Sequence, residues 1–385
     1  MKITKVEPIL LSVPMPEEYI VRWSGGEMAV VHVVLVRVHT DEGITGLGDT
    51  YAGGFFYPSA AKGLLEHFEA LLLGEDPFNV EGMYQKLWWK SQFWGRVGAA
   101  VNAISAIENA LWDVKGKALG LPVWQLLGGL AHPKLLIYAS GGLEKPKERT
   151  RAEMEGYVKD TFKAVKIRVS TDVKEAVEKV KFCREVLGPD VQLMVDAVMG
   201  SHPEPWSAKE AIQFARAIEP YDISWLEEPC WAADIEGYAE VRRATMIPIS
   251  GGETSATIHE FKGFFEKGAL DIVQPDACLS GGLLECKRVA TLAAAYGVRV
   301  APHAWGSAAT VLANVHWAFT TPNVFIHEYP TWGFPLRDEL LVEPLEIKDG
   351  YLYPPKGPGL GVELRKETIE RYPFKGGIGA DMRKG

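Results

Sequence analysis

Eight short apolar segments, each followed by a longer amphipathic one, dominate the chain from about residue 134 onward. They read KLLIYAS, FKAVKIRV, VQLMVDAV, YDISWLEEP, IPISGGE, DIVQPDA, RVAPHA and NVFIHEY. Strands that alternate with helices along a chain form parallel sheets, and eight such strands are typical of a closed barrel. The pattern therefore predicts an α/β fold whose larger part is a barrel of the TIM type.

A polar residue stands at or near the end of each of the last seven segments. These residues are Lys166, Asp196, Glu227, Glu253, Asp276, His303 and Glu328, at successive spacings of 30, 31, 26, 23, 27 and 25 residues. A doubly wound sheet would bring together only the groups near its switch point, whereas a barrel places all its strand ends around one mouth. We therefore expect one site that the seven side chains share.

The part of the chain that precedes the barrel has a different pattern. The stretch VVHVVLVRVHTDEGITGLGDT predicts a β-hairpin that turns at residues 41–43, and residues 58–128 read as helices. We expect an α+β capping domain over residues 1–130 and the barrel over residues 131–345. Residues 346–385 begin with a Pro/Gly-rich stretch, and we expect this segment to return to the cap.

The composition excludes several classes of protein. Hydrophobic residues make up 47% of the chain, no apolar run reaches the roughly 18 residues of a membrane span, and the N-terminus lacks a signal-peptide pattern. A net charge of −9 without any basic block argues against nucleic-acid binding. The cysteines are scattered without a CxxC pair, which argues against disulfides and zinc. We expect a cytoplasmic protein whose partner is a small molecule.

Acids end three consecutive strands: Asp196, Glu227 and Glu253. Like charges side by side repel each other unless a cation neutralises them, and carboxylate oxygens suit a hard divalent ion. The trio predicts a site for Mg2+, with Mn2+ as the second choice, and the alternative is that each acid only caps the following helix. Glu227 is a better inward candidate than Glu228, because neighbouring strand residues alternate between faces.

Asp276 and His303 end neighbouring strands. A carboxylate that accepts the proton of one imidazole nitrogen fixes the tautomer and leaves the other nitrogen as a base near neutral pH. The pair therefore predicts a catalytic dyad. The alternative is a histidine with a structural role.

Lys166 and Arg168 lie two positions apart on one strand, so both side chains point to the same face. Two cations aimed into one space predict an anion there, either a substrate carboxylate or the negative charge that develops on it. The alternative is that both side chains are salt-bridge donors to the ring of acids.

Taken together, these residues resemble the enolase superfamily and, within it, the mandelate racemase subgroup. The resemblance covers nearly the whole chain, from the N-terminal hairpin through the segment ALWDVKGKALGLPVWQLLGG to the strand-end residues in their order. It implies an α+β capping domain over a modified (β/α)7β barrel, and a homo-oligomer. It also implies a reaction that starts by removing the proton α to a carboxylate, giving an enediolate that Mg2+ stabilises.

The resemblance implies a role for each site residue. Asp196, Glu227 and Glu253 match the metal ligands, Asp276 and His303 match the dyad, and Glu328 matches an acid that hydrogen-bonds the substrate carboxylate or the enediolate. Cap segments 21–26 and 51–57 match the loops that close over the substrate and set specificity. The residues Arg22, Trp23, Phe56, Tyr57, Trp305 and Trp332 are compatible with either a polyol chain or an aromatic group.

One position departs from the family pattern. Strand two of the family usually carries Lys-x-Lys, with the second lysine as a base opposite the histidine, but here the order is Lys166-Ile167-Arg168. A guanidinium stays protonated up to high pH and is a poor proton acceptor. Racemisation by two bases needs a base on each face, and this sequence offers one.

One base suffices for a dehydration, because His303 can take the α proton and then, as imidazolium, protonate the departing β-hydroxyl. We therefore predict a hydro-lyase that converts an aldonate or related sugar acid into a 2-keto-3-deoxy acid. Two alternatives stay open. The first is a racemase or epimerase of a 2-hydroxy acid that uses Arg168 or Lys166 as its second base, and the second is a non-catalytic sugar-acid binder.

Overall fold

An antiparallel sheet with its helices forms a cap, and a ring of parallel strands forms a barrel beneath it. The structure is a computed structural model that describes residues 1–24, 26–377 and 381–382. Gly25, in the predicted cap loop, lies outside the described residues. Residues 378–380 and 383–385, in the segment that is predicted to return to the cap, also lie outside them.

The cap strands are β1 (Ile3–Pro14), β2 (Val21–Trp23), β3 (Gly26–Met28), β4 (Val30–Thr40) and β5 (Thr45–Asp49). The predicted hairpin is confirmed, because β4 and β5 pair antiparallel, and β1 pairs with the other edge of β4. Six valines stand in β4 (VVHVVLVRVHT), and β-branched side chains favour strands because they pack well on a pleated surface.

The cap helices are α1 (Ala52–Phe56), α2 (Pro58–Leu72), α3 (Val80–Ser91), α4 (Ala99–Leu119) and α5 (Val123–Leu126). The central one is α4, which is buried along most of its length between the cap sheet and the barrel. Gly120 ends this helix with φ 67°, the left-handed conformation in which glycine commonly terminates helices.

The barrel strands are β6 (Leu135–Ser140), β7 (Ala164–Arg168), β8 (Gln192–Asp196), β9 (Ile223–Glu227), β10 (Ile249–Gly251), β11 (Ile272–Val273), β12 (Arg299–Val300) and β13 (His327–Pro330). Neighbours from β6 to β12 pair in parallel, and β13 pairs in parallel with β6. A parallel bridge between Val300 and Val324, just before β13, closes the ring. All eight predicted segments therefore contribute strands to one closed barrel.

A helix follows each barrel strand up to β12. The helices are α6 (Lys147–Lys159), α7 (Val173–Leu187), α8 (Ala208–Ile218), α9 (Ile235–Ala244), α10 (Thr257–Glu266), α11 (Leu283–Ala295) and α12 (Ala308–Phe319). These crossovers carry the chain back to the start of the next strand, which keeps all the strands parallel. None of the helices in the described part of the chain combines the length and the apolar character needed to cross a membrane.

After the barrel, the chain runs along the barrel and then to the cap. Its elements are α13 (Leu336–Glu339), β14 (Ile347–Lys348), β15 (Tyr351–Leu352), α14 (Lys366–Arg371) and β16 (Asp381–Met382). The pair β14 and β15 extends the start of β6 on the barrel. Further on, Gly359 bridges to Pro122 and Pro373 to Leu11, and β16 pairs with β3. The later part of the segment thus contacts the cap.

Polar side chains of α4 bind the backbone of a barrel loop. Ser105 Oγ accepts a hydrogen bond from the N–H of Gly281 (2.9 Å), and the Glu108 carboxylate accepts one from the N–H of Leu283 (2.8 Å). Both donors lie between β11 and the first turn of α11, where backbone N–H groups lack helical partners. The cap therefore supplies acceptors for the loop that also carries Asp276.

Candidate active site

The predicted site residues lie one step above an apolar layer that fills the barrel. This layer consists of Tyr138, Ala164, Met194, Trp225, Ile272, Ala301 and Ile326. Two positions further along each chain segment stand Lys166, Asp196, Glu227, His303 and Glu328. Extended chains point alternate side chains to the same face, so these five groups project into the mouth at the carboxyl end of the barrel.

Lys166 is fully buried and faces three acids. Its Nζ donates to Glu227 Oε1 and lies 3.3 Å from Glu328 Oε1 and 3.5 Å from Asp196 Oδ2. Burial lowers the pKa of Lys166, but these carboxylates raise it well above its usual value. Lys166 is therefore a fixed ammonium that neutralises the acids around it.

Arg168 lies beside Lys166 and lines the cavity. Its Nε is 3.6 Å from Asp196 Oδ2, one terminal nitrogen donates to the carbonyl of Gly141 (3.0 Å), and its guanidinium carbon lies 5.6 Å from the ring centre of Trp305. Burial lowers the pKa of Arg168, but Asp196 and other acids raise it above its ordinary value. Both cations thus have anionic partners, as the salt-bridge alternative predicts, and Arg168 also faces the cavity.

His303 and Asp276 form a hydrogen bond across neighbouring barrel segments. His303 Nδ1 lies 2.7 Å from Asp276 Oδ2. An ionised carboxylate can only accept, so the proton of this bond belongs to Nδ1. The other ring nitrogen, Nε2, is 3.8 Å from Glu253 Oε2 and 3.9 Å from Glu328 Oε2, and the ring lines the cavity.

The carboxylates around His303 favour its charged form. Burial alone would lower the pKa of the imidazole, but Glu253 and Glu328, together with the hydrogen bond to Asp276, raise it to about 9. Any positive charge that neutralises Glu253 would weaken this effect. The state of the base at neutral pH therefore depends on the charge carried by its neighbours.

Asp196, Glu227 and Glu253 do not serve as helix caps for the helices that follow them. Ser207 caps α8 and Asp234 caps α9, each accepting from a backbone N–H three residues further on. Both oxygens of Glu227 instead accept inside the barrel, from Lys166, Trp225 and Gln274. The structure therefore does not support the capping alternative.

The expectation that Glu228 points away from the site is wrong. Its side chain is buried, and its carboxylate is close enough to those of Glu253, Asp196 and Glu227 for them, after burial itself, to raise its pKa well above the usual value. Glu228 has φ 43°, which interrupts strand alternation directly after β9. Gly200 leaves the room for this carboxylate, since a Cβ there would lie 2.2 Å from Glu228 Oε2.

The acids have the chemistry of a divalent-cation site. Within the described part of the chain, no group of three or more carboxylate, imidazole or thiolate side chains is arranged to hold a metal ion, and Lys166 provides the nearby positive charge. The donors nevertheless fit a hard cation. Burial and mutual repulsion raise the pKa values of Asp196, Glu227, Glu228 and Glu253, and Glu228 Oε1 has no hydrogen-bond partner among the described residues.

Glu328 lies between the cationic side and the imidazole side of the mouth. Its Oε2 accepts from the backbone N–H of Ala304 (2.7 Å), and Oε1 faces Lys166. Burial raises the pKa of Glu328, but Lys166, His303 and Arg168 lower it below its usual range. Glu328 therefore stays ionised as an acceptor.

A cavity of about 500 Å³ opens above these residues, between barrel and cap. Its polar wall comprises Arg168, Asp196, Glu253, Thr254, Ser201, His303 and Asn102. Its larger wall is aromatic and apolar and includes Val21, Trp23, Met28, Phe55, Phe56, Tyr57, Leu143, Leu279 and Trp305. Residues from both predicted cap segments thus lie over the barrel mouth.

Two of the residues expected to frame the substrate lie elsewhere. Arg22 pairs with Glu17 and Glu27 on the surface of the cap. Trp332 stacks behind Trp305, with ring centres 4.3 Å apart, and supports that ring without lining the cavity. Sequence reasoning also missed other lining residues, namely Asn102, Leu143, Ser201, Thr254 and Leu279, because no local motif marks them.

Two protein families match this chain. Residues 6–128 match the mandelate racemase / muconate lactonizing enzyme N-terminal domain, and residues 149–368 match the enolase C-terminal domain-like family. The chain belongs to the enolase superfamily, in its mandelate racemase subgroup. The resemblance seen in the strand-end residues is confirmed, and so are the capping domain and the modified (β/α)7β barrel.

Relatives of this superfamily member act on sugar acids. The 3,6-anhydro-alpha-L-galactonate cycloisomerase of Streptomyces coelicolor is 33% identical and covers 96% of this chain and 99% of its own. The arabinonate dehydratase of Saccharolobus solfataricus is 32% identical and covers 90% of this chain and 91% of its own. The prediction that the chain is an enzyme is confirmed.

Solved structures of the superfamily agree over nearly the whole chain. The 3,6-anhydro-D-galactonate cycloisomerase of Zobellia galactanivorans has a TM-score of 0.87 at 35% identity, covering 97% of this chain and 99% of its own. A racemase from Streptomyces coelicolor with bound magnesium has a TM-score of 0.86 at 32% identity, covering 96% of this chain and 99% of its own. Members of the enolase superfamily use Mg2+.

Proposed function

We propose that this enzyme is a sugar-acid dehydratase, which removes the proton α to the substrate carboxylate and expels the β-hydroxyl as water. The observation that supports it most is the asymmetry of the cavity. On one side His303 is held through Nδ1 by Asp276 and faces the cavity, and on the other Arg168 presents a protonated guanidinium. Dehydration needs one base, whereas inversion of the α carbon needs a base on each face.

The proposed reaction begins with neutral His303. Its Nε2 takes the proton from the α carbon, and the electron pair of that C–H bond moves into the carboxylate to form an enediolate. The imidazolium then gives this proton to the β-hydroxyl while the C–O bond breaks, so water leaves and His303 is neutral again. The remaining enol takes a proton on C3 and loses the proton of its C2 hydroxyl, which gives a 2-keto-3-deoxy acid.

The cationic side stabilises the negative charge that this reaction develops. Lys166 and Arg168 are held in place by their acidic partners, so they offer positive charge that needs no rearrangement. Asp196, Glu227 and Glu253 would hold Mg2+, which supplies further positive charge beside the substrate carboxylate and offsets the effect of Glu253 on the pKa of His303. Ionised Glu328 would accept a hydrogen bond from the enediolate when one enediolate oxygen carries a proton.

Proton NMR in D2O tests the proposal. The purified enzyme with Mg2+ is incubated with a panel of aldonates, aldarates and simple 2-hydroxy acids. We expect one or more sugar acids to be converted into 2-keto-3-deoxy acids. Replacement of the α proton by deuterium with inversion and no loss of water would show a racemase or epimerase, and tight binding without any reaction would show a binder.

A second candidate is the ring-opening form of the same elimination. When the departing β-oxygen belongs to a ring ether, the C–O bond breaks without loss of water and the product is an isomer of the substrate. The aromatic wall of the cavity, including Trp23, Phe55, Phe56 and Trp305, favours this candidate. Polyol hydroxyls buried there would lack partners, whereas an anhydro ring replaces two hydroxyls by one ether oxygen.

The same panel separates the two candidates when 3,6-anhydro sugar acids are added. A ring-opening reaction leaves the molecular mass unchanged, and a dehydration lowers it by one water. Faster turnover of the anhydro acids than of the open-chain acids would favour the ring-opening reaction. The reverse order would favour the dehydratase.

A further inference from the structure

Asn314, on α12, is a fully buried amide that contacts the dyad from behind. Its Nδ2 lies 2.9 Å from Asp276 Oδ1, the carboxylate oxygen that does not face His303. The two residues are 38 positions apart in the chain, so this contact depends on how α12 packs over the loop after β11.

The surroundings of Asn314 allow only one orientation of its amide. Oδ1 accepts from the backbone N–H of Ala277 (2.8 Å) and from the indole N–H of Trp317 (2.9 Å). Both partners can only donate, so the oxygen must face them and the NH2 group must face Asp276. Nδ2 also donates to the carbonyl of Thr310 (3.1 Å). Both Oδ1 and Nδ2 of the amide therefore have two hydrogen-bond partners each.

Each oxygen of Asp276 is held by donors. Oδ1 accepts from Asn314 Nδ2 and from the backbone N–H of Cys278 (2.7 Å), and Oδ2 faces His303 Nδ1. Donors at Oδ1 leave Oδ2 free to accept the hydrogen bond of the imidazole N–H. The orientation of the carboxylate, and through it that of the imidazole, therefore depends on the two donors at Oδ1, of which Asn314 is the only side chain among the described residues.

We propose that Asn314 is a positioning residue for the α-proton abstraction, the second member of a hydrogen-bonded chain Trp317–Asn314–Asp276–His303. This role rests on the proposed function of His303 as the base. Asn314 does not reach the cavity, and it acts by holding the Asp276 carboxylate so that His303 Nε2 is aimed at the α carbon. Small errors in the placement of a reacting group cost large factors in rate.

Matched variants separate positioning from mere stability. Asn314→Leu keeps the approximate volume of the side chain without a donor to Asp276, while Asn314→Ala removes the side chain beyond Cβ. Asn109→Ala is the control, because Asn109 is a buried amide of the cap that donates to the carbonyl of Ala277 (3.0 Å) and does not touch Asp276. It contacts the same loop without contacting the carboxylate.

Two readouts apply to each variant. The first is kcat and KM on the panel sugar acid that the unaltered enzyme converts fastest. The second needs no substrate: the proton on His303 Nδ1 is observed at low field by NMR in Mg2+-loaded enzyme labelled with 15N-histidine. Thermal unfolding measures the stability cost of each substitution.

Both Asn314 variants are expected to lower kcat by about 10- to 100-fold with little change in KM, the factor associated with hydrogen bonds to charged groups. They should also shift or broaden the Nδ1 proton resonance. Asn109→Ala should lower the unfolding temperature while kcat and the resonance stay close to those of the unaltered enzyme.

The proposal is overturned if kcat falls equally in the Asn314 and Asn109 variants in proportion to lost stability, or if the resonance does not move in either Asn314 variant. If instead the proposed function is wrong because His303 is not the base, the His303→Asn variant would stay active, whatever the Asn314 variants do.

Discussion

The two sides of the cavity bury charge in opposite ways. On the cationic side, Lys166 and Arg168 face several carboxylates, which keep both groups protonated in spite of burial. On the other side, His303 is hydrogen-bonded through one nitrogen to Asp276 and turns the other nitrogen to the cavity. The comparison shows how one cavity can combine two functions. Lys166 and Arg168 keep their protons, whereas His303 is placed to take up and release one.

His303→Asn should have the largest effect on this comparison. Asparagine can still donate to Asp276 but has no nitrogen that accepts a proton, so we expect turnover to fall by about 10²- to 10⁴-fold. NMR of product formation measures the loss, and calorimetric titration with Mg2+ should show that the variant still binds the metal. Activity close to that of the unaltered enzyme would contradict the role of the imidazole.

Substitutions of Arg168 test the other side. Arg168→Met removes the positive charge, and we expect kcat to fall by about 10²-fold because negative charge in the transition state loses a partner. Arg168→Lys keeps the charge and adds a group that can lose its proton, so slow deuterium incorporation with inversion should appear in D2O. The Met variant is the control, and inversion in that variant would point to a second base other than residue 168.

Glu228→Gln tests the acids between the two sides. The amide keeps the shape of the side chain but cannot ionise to balance a bound cation, so we expect Mg2+ to bind about tenfold more weakly. Calorimetric titration measures the change directly, without substrate. Glu236→Gln, which alters an exposed acid paired with Lys267, is the control. Equal affinity in the two variants would mean that Glu228 does not act on the metal.

His316 is a second buried imidazole and shows what His303 would be without acids. Its Nδ1 accepts from the N–H of Trp124 (3.1 Å) and its Nε2 lies 3.2 Å from the carbonyl of Leu360, so the neutral ring is satisfied. Burial lowers the pKa of His316 from 6.5 to about 4, although the bond to Leu360 raises it.

The sign of the pH effect follows from this lowered pKa. The unfolded chain binds a proton at His316 below about pH 6.5 and the folded chain does not, so stability is fully present above that pH and is lost on acidification. Between about pH 7.5 and about pH 5.5 we expect His316 to account for a loss of about 1 kcal/mol. Urea unfolding at both pH values measures it. His316→Gln should reduce the loss by that amount, and an unchanged loss would contradict the assignment.

Most of the site could be predicted because strand alternation is a local property. A polar residue two positions after an inward apolar one has to enter the mouth, as Asp196 follows Met194 and Glu227 follows Trp225. The same reasoning, applied to eight segments, was sufficient for the barrel. The homo-oligomeric state, the cytoplasmic location and the domain boundaries at residues 130 and 345 stay predictions.

The remainder depends on contacts between distant segments. Glu228 turns into the site because its backbone leaves the strand conformation, and the space for it comes from Gly200. Asn314 reaches Asp276 across 38 positions, and Arg22 is drawn to Glu17 and Glu27 at the surface. No periodic pattern in the sequence encodes such pairings, since they follow from the packing of loops and helices.

The hydrogen bonds from the barrel loop to Ser105 and Glu108 of α4 restrict how this enzyme could be recombined with its relatives. A cap taken from another family member would bring its own α4, and any mismatch would leave the N–H groups of Gly281 and Leu283 buried without acceptors. The loop that carries Asp276 and the cap helix behind it would therefore have to be exchanged together, although more than 150 residues separate them in the chain.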